Sequence, residues 1–337
     1  MAKRWHLYSE ERLLDLRLCD LALQLKGSMV EDRIERLYAE LAAKGLRFRP
    51  HCWLSQEWFT PDGVPGIAVP FYLAHPRLMQ LERKYMVEAE GQSEAACLRI
   101  LRHEAGHAID NAFRLHRRKR WRETFGSFRE PYPETYRPRT ADRNYVQHLN
   151  GWYAQAHPAE DFAETFAVWL TPGSAWRTRF GDWPAIRKLE YVDELMAEIA
   201  GEAPAVRTRR QVEPLREATA TLREFYASKR EHYAVEWPGH YDDELRRVFE
   251  YCPHANRRPA AAVWLRQNRR ELSRTVGEAA GVPAYTIEQL LLIMIERCRD
   301  LKLRLRLPPR ATREKVLLML AVNTMQATSG RYFPIAL

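Results

Sequence analysis

The sequence predicts an α+β fold that is predominantly helical and contains a small sheet. Apolar residues recur at helical spacing along most of the 337-residue chain, whereas the segment 48–81 combines several prolines with aromatic residues, as extended structure does. The hydrophobic fraction of 46% and the charged fraction of 29% are those of an ordinary globular protein, which excludes a disordered or fibrous chain. A chain of this length can bury a sizeable core and form more than one domain.

The N-terminal range, residues 1–92, contains two predicted helices and a predicted strand. Leucines between Leu13 and Leu25 indicate the first helix. A second helix, ending near Gly45, is indicated by four apolar residues at helical spacing, Val30, Ile34, Leu37 and Leu41. The run GIAVPFYLAH, which begins at Gly66, is expected to be extended, and its proline favours an edge strand.

The central range, residues 93–200, begins with the strongest helical pattern of the chain. Its apolar stripe includes Cys97, Leu98, Leu101, Ala105 and Ala108. The segment 121–144 is rich in prolines and charges and predicts a long surface loop. A second helix is expected from Pro158 to about Leu170, because proline suits the first helical position, and a third one runs to about Ile199.

The C-terminal range, residues 201–337, is predicted to be a helical region. The stretch GEAPAVRTRR, residues 201–210, is the candidate boundary that separates it from the central range. Its apolar centre is the run IEQLLLIMIERC, and no motif in this range indicates a chemical role. We therefore expect the chemistry of the protein to lie in the central range.

The motif HEAGH in the central range predicts a metal site. Residues four apart on a helix lie about 40° from each other around its axis, so the imidazoles of His103 and His107 can share a metal ion. Glu104 is displaced by about 100°, which places its carboxylate beside the metal rather than on it. That position suits a base that removes a proton from water.

A third ligand must come from another part of the chain, because a catalytic zinc usually has three protein ligands and an open fourth position. The metzincin pattern is excluded, because it requires a histidine six residues after His107 and Phe113 occupies that position. The later predicted helix offers Glu160 and, one turn on, Glu164. Spacing alone does not choose between them, and a capping role is an alternative interpretation of Glu160.

The segment HEAGHAID, followed later by AEDFAETF, resembles the catalytic domains of anthrax lethal factor and the Pro-Pro endopeptidases, which are zinc peptidases of the gluzincin type. Tyr153, seven residues before Glu160, is part of this resemblance, which covers roughly residues 95–170. It implies a zincin-like catalytic domain in which Glu160 is the third zinc ligand. It also implies that Tyr153 stabilises an oxyanion or protonates the leaving group. The interval between the two motifs is longer than in the family pattern, so the resemblance does not define the shape of the cleft.

Several further residues are candidates for supporting roles. Glu164 and Asp110 are each predicted to orient a ligand histidine through its second nitrogen, with a surface carboxylate as the alternative. Asp161 is a weaker candidate for the same role. His157 is expected to begin a helix rather than to bind metal. A packing aromatic is the alternative interpretation of Tyr153.

The stretch WYAQAHPAEDFAETFAVWL also resembles bacterial zinc-binding metallopeptidases. Together with the motifs, this resemblance predicts hydrolysis of peptide or protein substrates with one zinc ion. A zinc-containing scaffold that does not turn over is the first alternative. The second is a basic regulator that contacts nucleic acid through the run Arg114–Arg122, since the net charge is +9. No nucleic-acid recognition motif accompanies this charge, so we do not expect such a partner.

The sequence indicates a cytoplasmic protein without a membrane span. The five cysteines are odd in number and form no CxxC pair, which argues against a disulfide framework or a zinc ribbon. Acidic residues from Glu10 onward interrupt any apolar signal core. The longest apolar run, Leu290 to Ile295, is far shorter than the roughly 20 residues that a membrane helix needs.

Overall fold

The computed structural model describes residues 5–133, 135–136, 138–139, 141–234, 241–252, 258–328 and 333–334. Its α-helices are α1 (Glu10–Leu14), α2 (Met29–Ala43), α3 (Pro76–Met86), α4 (Glu94–Phe113), α5 (Lys119–Phe125), α6 (Pro158–Leu170), α7 (Trp176–Arg179), α8 (Ile186–Ile199), α9 (Leu222–His232), α10 (Asp242–Val248), α11 (Ala261–Ala280), α12 (Ala284–Asp300) and α13 (Pro309–Thr328). Its strands are β1 (His51–Ser55), β2 (Gly66–Pro70), β3 (Thr135–Tyr136), β4 (Phe249–Tyr251), β5 (Leu303–Leu305) and β6 (Phe333–Pro334).

The described residues are mainly helical and contain three two-stranded sheets, so the predicted helical α+β class is confirmed. Strands β1 and β2 are parallel, with His51 opposite Gly66. The pairs β3 with β6 and β4 with β5 are antiparallel. Among the described helices, none combines the length and the apolar character needed to cross a membrane.

The first predicted helix is interrupted. Helix α1 ends at Leu14, and a 3-10 helix follows at Leu18–Leu21. Backbone hydrogen bonds to a distant segment explain the break, because the amides of Leu18 and Cys19 donate to the carbonyl oxygens of residues 220 and 218. A contact across about 200 positions of the chain thus overrides the local helical pattern.

The run GIAVPFYLAH begins with a strand, as predicted, but Phe71–Ala74 form a 3-10 helix and the strand is not an open edge. Every residue of β2 is buried. Besides its pairing with β1, it is joined by a hydrogen bond from the Ala68 amide to the Phe59 carbonyl oxygen, at 2.9 Å. The strand is therefore enclosed by the protein's own chain.

Two compact units make up the described chain. The first contains the described residues of Met1–Leu81 and Ala89–Arg223 together with β6. Its centre is α4, which packs against α2, β2 and α6. Nearly every side of α4 is buried, as expected of a helix that lies inside a core. Ser93 caps its first turn by accepting a hydrogen bond from the Ala96 amide.

The second unit contains Glu82–Glu88 and the described residues of Glu224–Tyr332. Its core is formed by α11, which packs against α12 and α13. Gly281 ends α11 with a left-handed conformation, φ 67°, and allows the chain to turn into α12. Residues 201–210 lie in the first unit, and the assignment of separate roles to the ranges 1–92, 93–200 and 201–337 stays a prediction.

Candidate metal centre

Two consecutive turns of α4 bring His103 and His107 together. Their Nε2 atoms are 3.2 Å apart, and the centroids of their rings are 4.9 Å apart. His103 is buried and His107 is partly buried. The four-residue spacing therefore directs one nitrogen of each ring to the same point, as the helix geometry requires.

Helix α6 supplies a carboxylate at this point. The helix begins after His157, whose Nδ1 accepts a hydrogen bond from the Ala159 amide at 3.1 Å, and Pro158 occupies the first turn. His157 therefore begins the helix. Glu160 also lies in the first turn, is 4% exposed, and places its Oε2 atom 3.0 Å from His103 Nε2 and 3.2 Å from His107 Nε2.

These three atoms fit the geometry of a zinc ligand set. Two imidazole nitrogens and a carboxylate oxygen are the donor set of many catalytic zinc sites. Tetrahedral ligands at about 2.0–2.1 Å from one zinc ion lie about 3.3 Å from each other. The separations of 3.0, 3.2 and 3.2 Å between His103, His107 and Glu160 are close to that value, and the group qualifies as one that could hold a metal ion.

Glu164, one turn after Glu160, contacts the other side of the first histidine. Its Oε1 atom lies 3.0 Å from His103 Nδ1, so Nδ1 donates to this carboxylate and Nε2 is the nitrogen left to bind a metal, which would displace its proton. The second oxygen, Oε2, accepts hydrogen bonds from the amides of His148 and Leu149, at 2.9 and 2.8 Å. Glu164 is fully buried, and these contacts fix its orientation.

The carboxylates create a negative potential at both imidazoles. Burial alone lowers the pKa of His103, but its contacts with Glu160 and Glu164 outweigh this effect and raise the pKa to about 10. Burial also lowers the pKa of His107, and the charge of Glu160 raises it overall. A site that favours positive charge this strongly suits a divalent cation.

Glu104 lies in the same turn as His103. Its carboxylate is 8% exposed, and its Oε2 atom is buried without a hydrogen-bond partner. Its backbone carbonyl accepts a hydrogen bond from the Thr60 hydroxyl at 3.3 Å, which joins the segment before β2 to the helix. A buried carboxylate oxygen that is unsatisfied within the protein requires an explanation, and a ligand or substrate group is one.

Tyr153 reaches the site from a 3-10 helix, Asn150–Gln155. Its ring centroid is 5.6 Å from that of His103. Two successive residues before it, Gly151 and Trp152, have φ values of 76° and 57°, so the chain turns sharply here. Burial, followed by the charge of Glu160, raises the pKa of Tyr153 well above its ordinary value. The phenol is therefore protonated and able to donate.

Two of the predicted supporting carboxylates contact other residues. Asp110 accepts hydrogen bonds from the amide and Nδ1 of His116, at 2.7 and 2.8 Å, and thus stabilises the turn after α4 rather than a ligand histidine. Asp161 pairs with Lys188 of α8 at 2.6 Å. On a helix, Asp161 points away from Glu160, so it joins α6 to α8 instead.

The basic run Arg114–Arg122 also has contacts within the first unit. Arg118 pairs with Glu198 at 2.6 Å, and Arg120 pairs with Glu194. Both acidic partners belong to α8. The run thus has structural contacts of its own, which lessens the need for a nucleic-acid partner to explain it.

Sequence reasoning missed two residues near the site. Tyr132 donates its hydroxyl hydrogen to Glu160 Oε1 at 2.9 Å. It lies in the long loop, where no periodic pattern signals a contact. Asn111 donates to the carbonyl oxygens of Pro61 and Val64 and accepts from the Gly63 amide, all within 3.1 Å. Asn111 could have been found from the sequence, because it is a polar residue in a helix with a broad apolar stripe.

The chain was compared with curated proteins, solved structures and models of protein families. Neither the curated proteins nor the solved structures gave a match to the chain. Residues 81–179 match the family model described as "Putative zinc-binding metallo-peptidase", and this description confirms zinc as the predicted metal. The matched range contains His103, Glu104, His107, Tyr153 and Glu160. The candidate metal centre therefore lies within a segment, residues 81–179, that is similar to the family described as a zinc-binding metallopeptidase.

Proposed function

We propose that this protein is a zinc peptidase of the gluzincin type, with a zincin-like catalytic core in its first unit. One observation carries the proposal. Two imidazole nitrogens, from His103 and His107, and one carboxylate oxygen, from Glu160, converge within 3.2 Å of one another. The unsatisfied oxygen of Glu104 lies on the same helix turn as His103, where a base is needed.

The ligand set would hold one zinc ion. When bound, zinc lowers the pKa of a water molecule toward 7 and polarises the scissile carbonyl group. His103, His107 and Glu160 would hold the ion, and Glu164 would keep the His103 ring in the tautomer that offers Nε2.

Glu104 is the proposed general base. Its carboxylate takes a proton from the attacking water and passes that proton to the nitrogen of the leaving amine. Its burial and the lack of a hydrogen-bond partner for Oε2 support this role, because a carboxylate held by an ion pair would be a poor proton acceptor.

Tyr153 is the proposed electrophile. Its raised pKa keeps the hydroxyl protonated, so it can donate a hydrogen bond to the carbonyl oxygen of the substrate as negative charge develops there. Such donors contribute about 2.7–4 kcal/mol to the stability of a transition state. The distance of 5.6 Å between the Tyr153 and His103 rings supports this placement beside the metal ligands.

The test combines metal analysis with digestion of a peptide library. We expect the wild-type protein to bind one zinc ion per chain and to cleave some peptides. Glu104→Gln should keep zinc and lose cleavage, and Glu160→Ala should lose both. Cleavage by Glu104→Gln at the wild-type rate would refute the mechanism. Stoichiometric zinc without cleavage of any peptide would favour a scaffold role.

A further inference from the structure

The loop between α5 and α6 reaches the start of α6 through three contacts. The carbonyl oxygen of Glu130 accepts a hydrogen bond from His157 Nε2 at 2.9 Å. The ring of Tyr132 stacks on the His157 ring, with centroids 3.8 Å apart and planes 18° apart. The hydroxyl of Tyr132 donates to Glu160 Oε1 at 2.9 Å.

His157 is a fixed support for this stack, because both of its ring nitrogens are engaged. Nδ1 accepts from the Ala159 amide and Nε2 donates to the Glu130 carbonyl, which sets one tautomer and one ring orientation. Tyr132 therefore rests on a ring that is itself immobilised. Its hydroxyl is held at a defined place beside Glu160.

The two oxygens of the Glu160 carboxylate have different partners. Oε2 faces the Nε2 atoms of both histidines, whereas Oε1 accepts the Tyr132 hydroxyl. A carboxylate rotates readily about its last side-chain bond unless both oxygens are held. The Tyr132 hydrogen bond therefore determines which oxygen is presented to the metal position.

We propose that Tyr132 is a positioning residue for the third metal ligand, Glu160, in the way that Glu164 orients His103. The proposal rests on the metal centre proposed above. The position of the loop at Glu130 and Tyr132 then affects metal binding, because the hydrogen bond from Tyr132 to Glu160 forms only when that loop lies against His157. Packing alone does not account for Tyr132, since the residue is 41% exposed while its hydroxyl donates to a buried carboxylate.

The experiment compares Tyr132→Phe with a matched change in the same loop, Tyr136→Phe. Both remove one hydroxyl and keep the ring, but the Tyr136 hydroxyl donates to the Gly151 carbonyl oxygen at 2.8 Å and not to a metal ligand. Zinc affinity is measured by competition with a chromophoric chelator. We expect Tyr132→Phe to weaken zinc binding by about 10- to 100-fold, the usual effect of losing an outer hydrogen-bond partner. Tyr136→Phe should change it less than about 3-fold.

A second readout separates positioning from general loss of order. In the cobalt-substituted protein, Tyr132→Phe should alter the visible absorption of the ion, whereas Tyr136→Phe should leave it unchanged. Equal zinc affinity in wild type and Tyr132→Phe would overturn the inference, as would equal weakening by both variants. If the wild-type protein binds no zinc, the proposed metal centre itself fails, which is a distinct result.

Discussion

Gly106 and Ala163 mark the point where the two ligand-bearing helices touch. A Cβ atom on Gly106 would lie 2.8 Å from the Cα of Ala163 and 3.2 Å from its carbonyl oxygen. Both are backbone atoms, which cannot move aside as a flexible side chain would. Glycine inside a helix costs about 1 kcal/mol relative to alanine, and this close contact explains why a glycine stands here. The close approach brings Glu160 of α6 within reach of the histidines of α4.

Gly106→Ala should therefore destabilise the protein even though alanine favours helix. Overpacking of a core costs about 1–3 kcal/mol, and the upper end is expected here because the clash is with backbone atoms, so a net loss of about 2 kcal/mol remains after the propensity gain of about 1 kcal/mol. Separation of α4 from α6 should also weaken zinc binding. Urea unfolding and zinc competition measure the two effects. A variant as stable as wild type would show that the contact between α4 and α6 can accommodate a methyl group.

Glu164→Gln should weaken zinc binding by about 10- to 100-fold. The two oxygens of Glu164 accept hydrogen bonds from the His103 N–H and from two backbone amides. The NH₂ group of glutamine is a donor and would face one of these donors. Zinc affinity is measured by chelator competition. Asp161→Asn is the matched control, because this buried carboxylate of the same helix pairs with Lys188 and no ligand. It should lower stability without the same loss of zinc affinity, and equal losses would contradict the assignment.

Zinc should stabilise the folded chain through its ligands. At a free zinc concentration 100 times the dissociation constant, binding to the folded state adds about 2.7 kcal/mol to the free energy of unfolding. Chelation should reverse this gain in the wild-type protein. Thermal unfolding with and without chelator tests the point, with Glu160→Ala as the control that should not respond. An identical response in the variant would mean that zinc acts elsewhere.

Protonation of His75 should lower the free energy of unfolding in mild acid. Its Nδ1 accepts a hydrogen bond from the Arg77 amide at the start of α3, and burial, His6 and Arg77 lower the pKa of its ring. Since the folded state favours the neutral ring, the unfolded state binds more protons below about pH 6.5, and stability decreases as the pH falls from 7 to 5. His75→Asn keeps a capping acceptor that does not titrate.

The difference between wild type and His75→Asn in denaturant unfolding at pH 7 and pH 5 isolates this contribution. The variant should lose less stability on acidification than the wild type. Parallel pH profiles for the two proteins would show that the neutral His75 ring does not contribute to folding.

The features that the sequence predicted depend on local periodicity. Helical spacing is enough to bring His103 and His107 to one face, and one further turn separates Glu160 from Glu164 on α6. Even so, spacing left the third ligand open, and the family resemblance selected Glu160. The structure places Glu160 against both histidines and Glu164 behind His103. These positions follow from helices that fold as their patterns indicate.

The features that the sequence did not predict depend on distant contacts. Tyr132 lies in a loop without periodicity, and its partner Glu160 is 28 residues away. The break after α1 is caused by hydrogen bonds to residues 218 and 220. Asp110 is within hydrogen-bond reach of His116 because the chain reverses at Arg114, which adopts a left-handed conformation at φ 51°. In each of these contacts the two partners do not belong to the same helix or strand, so the local sequence pattern does not predict them.

The histidine and proline that begin α6 have a consequence for how quickly the site accepts an ion. His157 fixes the helix start by a contact with the amide only two residues on, so the first turn sets where the Glu160 side chain leaves the helix, and the Tyr132 hydrogen bond orients its carboxylate. Glu164 holds His103 in the same way from within a packed core. Most rotational freedom of the ligands is thus lost during folding, before any ion arrives. Association with zinc then requires little conformational reorganisation, and we expect its rate to be limited by diffusion, ion dehydration and release of the His103 proton rather than by a conformational change.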